Sequence, residues 1–329
     1  MSYTSESKLP STVKLPQLQE VVELLGYRKI RDPLKIPNRV GSYFWLDEND
    51  YKSWYGVELQ IYRKKGEITV DTRSTVSRSY WDLKHQNKTI KTIRDLFGGH
   101  FITDAGRNRY WRPDEPPPSS LSSGCYLARW HFHNALGAAR VYLMTRKFEG
   151  NIAREKTSGF DFMDRMNPRL LSNNLLIPYV IAVWEEYFRA TFTAALKYSS
   201  QRAAVLKKAR LSHNQLEQIA VKEQPVERTV AECFSFQRPS SIAENFRLLD
   251  SKLDISGAMR KPHKRRKVSL YDSIEALVEG RNAFAHVGQM NMQLYDKQLE
   301  TSLDDIVEAV DRSYTAVGRH YGFSPIHSY

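Results

Sequence analysis

The alternation of apolar and polar positions is clearest between Val57 and Val70. Val57, Leu59 and Ile61 alternate with Glu58, Gln60 and Tyr62, and Ile68 and Val70 resume the pattern after Lys64-Lys65-Gly66-Glu67. A period of two predicts two half-buried strands joined by a tight turn. Upstream, Leu18, Val21, Val22 and Leu25 recur at helical spacing and stop at Gly26, which predicts a short helix. Downstream, "NKTIKTIRDLFGG" predicts a helix and "HFITDAGRNRYW" one or two closing strands. Residues 16–111 are therefore expected to form a small α+β domain, with the polar, proline-containing residues 1–15 as a flexible N-terminus.

The pattern then changes. "RPDEPPPSSLSSG", residues 112–124, combines consecutive prolines with serines and glycine, a composition that predicts a linker. Beyond it the apolar positions follow a helical period throughout. Helices are expected over Cys125–Phe148, Leu175–Tyr198, Ser240–Lys252, Ser269–Val287 and Asp296–Tyr321. Residues 125–150 are expected to connect the two parts and 151–329 to form a helical bundle, because helices without intervening strands pack on one another.

Composition narrows the function classes. The chain has 329 residues and carries 49 Lys+Arg against 37 Asp+Glu, a formal charge of +12. That balance favours a polyanionic partner, nucleic acid being the commonest, because each neutralised phosphate releases a condensed counterion. Two cysteines, Cys125 and Cys233, make neither a disulfide framework nor a zinc site by themselves. The N-terminus lacks an apolar signal region, and the greasiest run, "LLIPYVIAVW", is half the length of a membrane span. A cytoplasmic, reduced protein with no membrane partner is the expectation.

One helix carries a chemically unusual face. At about 100° per residue, Ile274, Leu277, Val278, Phe284, Ala285 and Gly288 cluster on one side of the Ser269–Val287 segment. Arg281 falls near the centre of that side. An arginine keeps its charge, so an apolar setting demands a carboxylate or phosphate partner. Asn282, His286 and Gln289 follow along the adjoining side. Arg281 and His286 lie about 140° apart, so they converge on one point only if the helix end unwinds or a second helix contributes. A structural ion pair beside a surface histidine is the plain alternative.

"RNAFAH", Arg281 to His286, resembles the signature of the HEPN superfamily: arginine, a polar residue, then histidine after four to six intervening positions. "VWEEYFRATF", "CFSFQRPSSIAENFRLLD" and "LVEGRNAFAHVG" are similar to parts of prokaryotic HEPN families of the RiboL-PSP type. The resemblance covers residues 151–322, about half the chain. It implies an all-α bundle and metal-independent cleavage of RNA, without cofactor, by a homodimer whose motif helices face each other. It further implies a role as a toxin or effector in prokaryotic anti-phage defence or toxin–antitoxin systems. The ribose 2′-OH supplies the nucleophile. His286 would act as general acid or base, Arg281 would stabilise the transition-state phosphate, and Asn282 would orient one of them. Members often carry a carboxylate that positions the arginine. On the wheel Glu185 borders the apolar face of its helix while Glu186 points away, so Glu185 is the expected partner of Arg281.

Other constellations compete for a role. "RKPHKRRK" places six basic residues, Arg260, Lys261, Lys264, Arg265, Arg266 and Lys267, just before the motif helix; they are expected to grip RNA phosphates or else to form a disordered solvated loop. His131 and His133, two apart on a helix, point too far from each other to chelate a metal. Asp47 with Glu58 and Gln60 faintly resembles the acidic arrangement of metal-dependent DNA nucleases, which places a rival activity in the N-terminal domain. A third reading is a HEPN module that binds RNA or protein without cutting. The N-terminal domain is expected to sense or regulate, taking an inhibitor or an activating protein or ligand.

Overall fold

The computed structural model describes residues 2–31, 36–113, 116–146, 156–221, 224–264 and 266–326. The chain divides after Ser123 into a sheet unit and a helical unit that runs to Pro325.

The sheet unit holds strands β1 (Tyr3–Leu9), β2 (Arg28–Lys29), β3 (Arg39–Trp45), β4 (Val57–Lys64), β5 (Glu67–Ser74), β6 (His100–Thr103) and β7 (Gly106–Arg107). Its helices are α1 (Leu15–Leu24) and α2 (Tyr80–Phe97). The strands form one antiparallel sheet in the order β2-β3-β4-β5-β1-β6-β7. The predicted turn is a two-residue hairpin in which Lys65 and Gly66 both adopt positive φ, 49° and 89°, matching the strand twist. Val57, Leu59, Ile61, Ile68 and Val70 form one core with Leu18 and Val22 of α1 and Ile93 of α2. Glu58 and Gln60, at the alternate positions, line a hollow of about 560 Å³ on the opposite, open face.

Residues 3–9 are not a loose tail; they form β1, hydrogen-bonded between β5 and β6. The inward positions are Ser5, Ser7 and Leu9, all buried, of which only Leu9 is apolar, and Ser5 Oγ meets Thr72 Oγ1 at 2.7 Å. A strand that buries hydroxyls shows no hydrophobic alternation, which is why its pattern reads as loop. β3 also lies outside the predicted elements. Its Tyr43 is buried, whereas Gly41 and Ser42 interrupt the apolar periodicity. Helix α2 begins seven residues earlier than its apolar pattern, at a Ser79/Asp82 capping box. Asp82 is fully buried and also accepts from the Trp54 and Tyr55 amides and the Ser53 hydroxyl, fixing the loop before β4.

Asp71 lies on the open face with Glu6 directly across the strand pair. Burial, with the Glu6 charge in addition, pushes its carboxyl up from 3.8 to about 6. A carboxyl raised on folding takes up protons as the chain folds, so Asp71 opposes folding above its folded value and stops doing so below its unfolded one. Asp71→Asn is therefore expected to raise the melting temperature at neutral pH and to give no gain near about pH 4. His85, stacked on Trp45 and lowered to about 4 by burial and Lys88, works in the opposite direction. The variant-minus-wild-type difference across pH isolates Asp71, and an equal gain at both ends of the range would refute this assignment.

The helical unit comprises α3 (Ser120–Thr145), α4 (Asp161–Arg165), α5 (Pro168–Lys197), α6 (Arg202–Lys208), α7 (His213–Ala220), α8 (Val226–Glu232), α9 (Pro239–Arg247), α10 (Ile255–Arg260), α11 (Leu270–Val287) and α12 (Asp296–Tyr321). Helix α5 is its axis. Trp184 packs on Phe188, Phe188 on Phe246 of α9, and Phe192 on both Phe236 and Phe246, while Tyr187 meets Phe132 of α3 and the Val310 carbonyl of α12. Helix α3 starts at Ser120, inside the expected linker, and is part of the bundle rather than a connector: Arg129 and Arg140 pair with Asp311 and Asp304 of α12. The helical part thus begins well before residue 151. Cys125 is buried and Cys233 exposed, both unpaired thiols. Among the described residues no helix is long and apolar enough to cross a membrane.

Candidate functional site

Helix α11 is capped by Ser269, whose hydroxyl accepts from the Asp272 amide, and ends where Gly288 turns left-handed at φ 72°. Leu270, Ile274 and Val278 are buried, Arg281 to Phe284 are half-buried, and Ala285 to Val287 are exposed. The apolar face read from the wheel therefore begins in the core and runs out onto the surface, with Val287 77% exposed. The "RNAFAH" segment occupies that emerging end.

Arg281 Nη1 donates to Asn282 Oδ1 at 2.9 Å, and its buried Nε finds no acceptor among the described residues. Glu185 of α5 stands beside it. Burial raises the Glu185 carboxyl above the ordinary glutamate value, and the charges of Arg189 and then Arg281 pull it back. The Glu185 ion pair is with Arg189, at 3.6 Å; among the described residues no carboxylate lies within 4 Å of Arg281. Glu186 belongs to other partners, Arg228 at 2.7 and 2.8 Å and Arg189 at 3.1 Å. Burial alone would raise the Glu186 carboxyl, but these two arginines hold it below the usual value. Of the two adjacent glutamates, Glu185 is thus the one near Arg281. His286 is exposed and makes no hydrogen bond among the described residues.

Sequence reasoning missed Arg189, which links the two glutamates, and Gln237. The Gln237 amide donates to Asn282 Oδ1 at 3.4 Å. Its backbone carbonyl accepts from Trp184 Nε1 at 3.1 Å, and the next residue, Arg238, pairs with Glu275 of α11 at 2.8 Å. With its oxygen engaged by Arg281 and Gln237, Asn282 keeps its amide nitrogen for donation to a ligand. Gln237 lies within "CFSFQRPSS", but a glutamine between two turns carries no periodic signal.

The basic segment resolves into different roles. Arg266 is taken by Asp305, a buried carboxylate, at 2.6 and 3.0 Å, which removes it from the expected phosphate contacts. Arg260 stacks on Tyr271 at 4.0 Å from the ring centre; Lys261, Lys264 and Lys267 are exposed. Arg265 lies outside the described residues. This segment precedes the first turn of α11, whereas His286 stands sixteen residues along it, a separation of about 24 Å at 1.5 Å per residue. Nearness in sequence is not nearness to the motif.

The acidic constellation of the N-terminal domain does not assemble. Asp47 accepts from the Asn49 amide and lies near His85 of α2, whereas Glu58 is on the open face, 3.7 Å from Arg73, and Gln60 accepts from Tyr62 there. His133 meets Asp311 at 3.4 Å and His131 stacks edge-on against Trp130. Among the described residues no three His, Cys, Asp or Glu side chains could hold a metal ion together. Comparison with known protein families, curated proteins and solved structures finds no match to this chain.

Proposed function

We propose that the helical unit is a HEPN-type endoribonuclease that cleaves RNA without a metal ion, leaving a 2′,3′-cyclic phosphate and a 5′-OH. The observation that carries the reading is Arg281: a half-buried guanidinium with no carboxylate at ion-pair distance among the described residues, at the surface-emerging end of α11, five residues before an exposed histidine. A cation so placed gains most from an anion that arrives with the substrate. Glu185 steadies it through space. The exposed end of α11, with Val287 uncovered, is the face on which a second copy would dock, bringing two motifs together.

In this reading His286 moves the proton of the 2′-OH or of the leaving 5′-oxygen, Arg281 binds the non-bridging oxygens, and Asn282 donates its amide. The sheet unit, with its open polar face, senses or regulates by taking an inhibitor, an activating protein or a ligand. The biological role is that of a toxin or effector in prokaryotic anti-phage defence.

The test is cleavage of labelled single-stranded RNA and of duplex DNA, with and without EDTA. RNA cleavage that persists in EDTA, with cyclic-phosphate ends, is expected from a dimer in solution. DNA cleavage abolished by EDTA would return the chemistry to the acidic residues of the sheet unit, and RNA bound but never cut would make the chain a binding module.

A further inference from the structure

Two arginines staple the described residues of the basic segment before α11 to α12. Arg312 reaches from α12 to the carbonyls of Lys261 at 2.9 Å and Pro262 at 3.3 Å, while its Nε holds Glu308 at 2.7 Å. At the other end Arg266 is locked on Asp305, which also accepts from Ser273 at 2.7 Å. Of the segment's own cations among the described residues, only Arg266 is committed to fixing it, Arg312 acting from α12, and Lys261 is presented in place. A ligand that meets it need not pay for ordering the loop.

Between α10 and α12 the same staple closes one end of a groove. Two adjoining hollows of about 330 and 380 Å³ share Ala258, Lys261, Ala316 and Arg319. Their floor includes the small residues Ala258 and Ala316, which lets a backbone approach closely, while the space beside Gly257 is filled by the Asp254 carboxylate. Lys252 and Lys261 stand on the α10 side and Arg319 on the α12 side. Three carboxylates, Asp254, Glu308 and Asp311, line the same hollows and Asp250 lies near Lys252, but each has a hydrogen-bond or ion-pair partner besides these three cations. Asp254 caps α10 through the Gly257 amide at 2.8 Å, Glu308 holds Arg312, Asp311 holds Arg129 at 2.7 Å, and Asp250 holds His320 at 3.0 Å. Among the described residues, Lys252, Lys261 and Arg319 are exposed, and the ion pairs of Asp311, Glu308 and Asp250 are with Arg129, Arg312 and His320 instead.

We infer that this α10–α12 groove is a track for the phosphodiester backbone of RNA, bound through Lys252, Lys261 and Arg319. Lys264 and Lys267 extend the run of exposed cations beyond its stapled end. Cations on both walls of an elongated groove with a small-residue floor suit a chain of evenly repeated single charges, and they read phosphates rather than bases. The inference rests on RNA being the ligand of this protein, but not on its being cleaved.

The test uses the full chain with His286→Ala, so that bound RNA is not consumed, and a fluorescent single-stranded RNA titrated at several salt concentrations. Each phosphate contact contributes about 0.7 to the slope of log affinity against log salt for a single strand. Combining Lys252→Ala, Lys261→Ala and Arg319→Ala is therefore expected to reduce the slope by about 2 and to weaken binding at least about tenfold at low salt. Lys207→Ala combined with Lys208→Ala and Arg210→Ala, three exposed cations at and just beyond the end of α6, serves as the charge-matched control and is expected to leave the slope nearly unchanged. Circular dichroism melting verifies that each variant folds. An unchanged slope in the groove variant, an equal loss in the α6 control, or no RNA binding by the parent chain each overturns the groove. Groove-dependent binding in a protein whose wild type cuts no RNA would leave the groove standing and remove the nuclease reading.

Discussion

Replacing His286 by alanine is expected to lower RNA cleavage by about 10² to 10⁴, the range that a positioned general acid or base supplies, while RNA affinity stays within about threefold. The imidazole is exposed and makes no hydrogen bond among the described residues, so its removal disturbs no packing. Arg281→Ala is expected to cost about 10² to 10³, the usual loss when one charge-stabilising donor group is removed from a transition state. Arg281→Lys should recover little of it, because an ammonium keeps the charge but not the planar fork that spans two phosphate oxygens. The two side chains leave α11 about 140° apart, which predicts that they act on one phosphate from different copies. Mixing His286→Ala protein with Arg281→Ala protein should then regenerate cleavage, since one composite site of each mixed dimer has both groups intact. Silence in the mixture, with dimers formed, would place both groups in the same copy.

The parts of this molecule that the sequence discloses are those where burial and periodicity coincide. Val57 to Val70 alternate because one face of that hairpin is core, and the Asp296–Tyr321 helix shows its stripe because Leu299, Leu303, Ile306 and Val310 are buried at helical spacing. Strand β1 is hidden because two of its three core-facing positions, Ser5 and Ser7, are polar, with Ser5 bonded to the Thr72 hydroxyl, and only Leu9 is apolar. The short helices α4, α6, α7, α8 and α10 span five to eight residues, too few for a period of 3.6 to declare itself.

The candidate site divides in the same way. Arg281, Asn282 and His286 are visible as a motif, and the preference for Glu185 over its neighbour follows from the wheel, which orients a side chain relative to its helix. Partners drawn from other segments are not visible. Arg266 reads as one more cation in a basic run until Asp305, thirty-nine residues away, claims it. Gln237 reaches Asn282 across forty-five residues, through a loop positioned by Trp184 and Glu275. Tertiary hydrogen bonding assigns these roles, and no local pattern encodes it.

The second large effect expected is on stability, at Asp296. This first residue of α12 accepts from Arg169 Nη1 at 2.8 Å and from Asn173 Nδ2 at 3.0 Å, and lies 3.7 Å from Arg146 Nη1. Arg146 and Arg169 are 2% and 4% exposed, so two buried guanidinium groups share one carboxylate that is itself 20% exposed. Asn173 also donates to the Leu294 carbonyl at 2.8 Å, which ties the start of α5 to the turn that follows α11. Removing one partner from a buried ion pair costs about 3–5 kcal/mol, because the remaining charge keeps its desolvation penalty and loses its compensation. Asp296→Ala is therefore expected to destabilise the helical unit by about that amount in urea unfolding. Asp304→Ala provides the contrast. Its pair with Arg140 is about half exposed on both sides, and exposed pairs contribute less than about 1 kcal/mol. Similar losses in the two variants would show that burial of Arg146 and Arg169 is sustained by other groups. A large loss confined to Asp296 would show that this carboxylate joins the start of α12 to the first turns of α5 and to Arg146, the residue that follows α3.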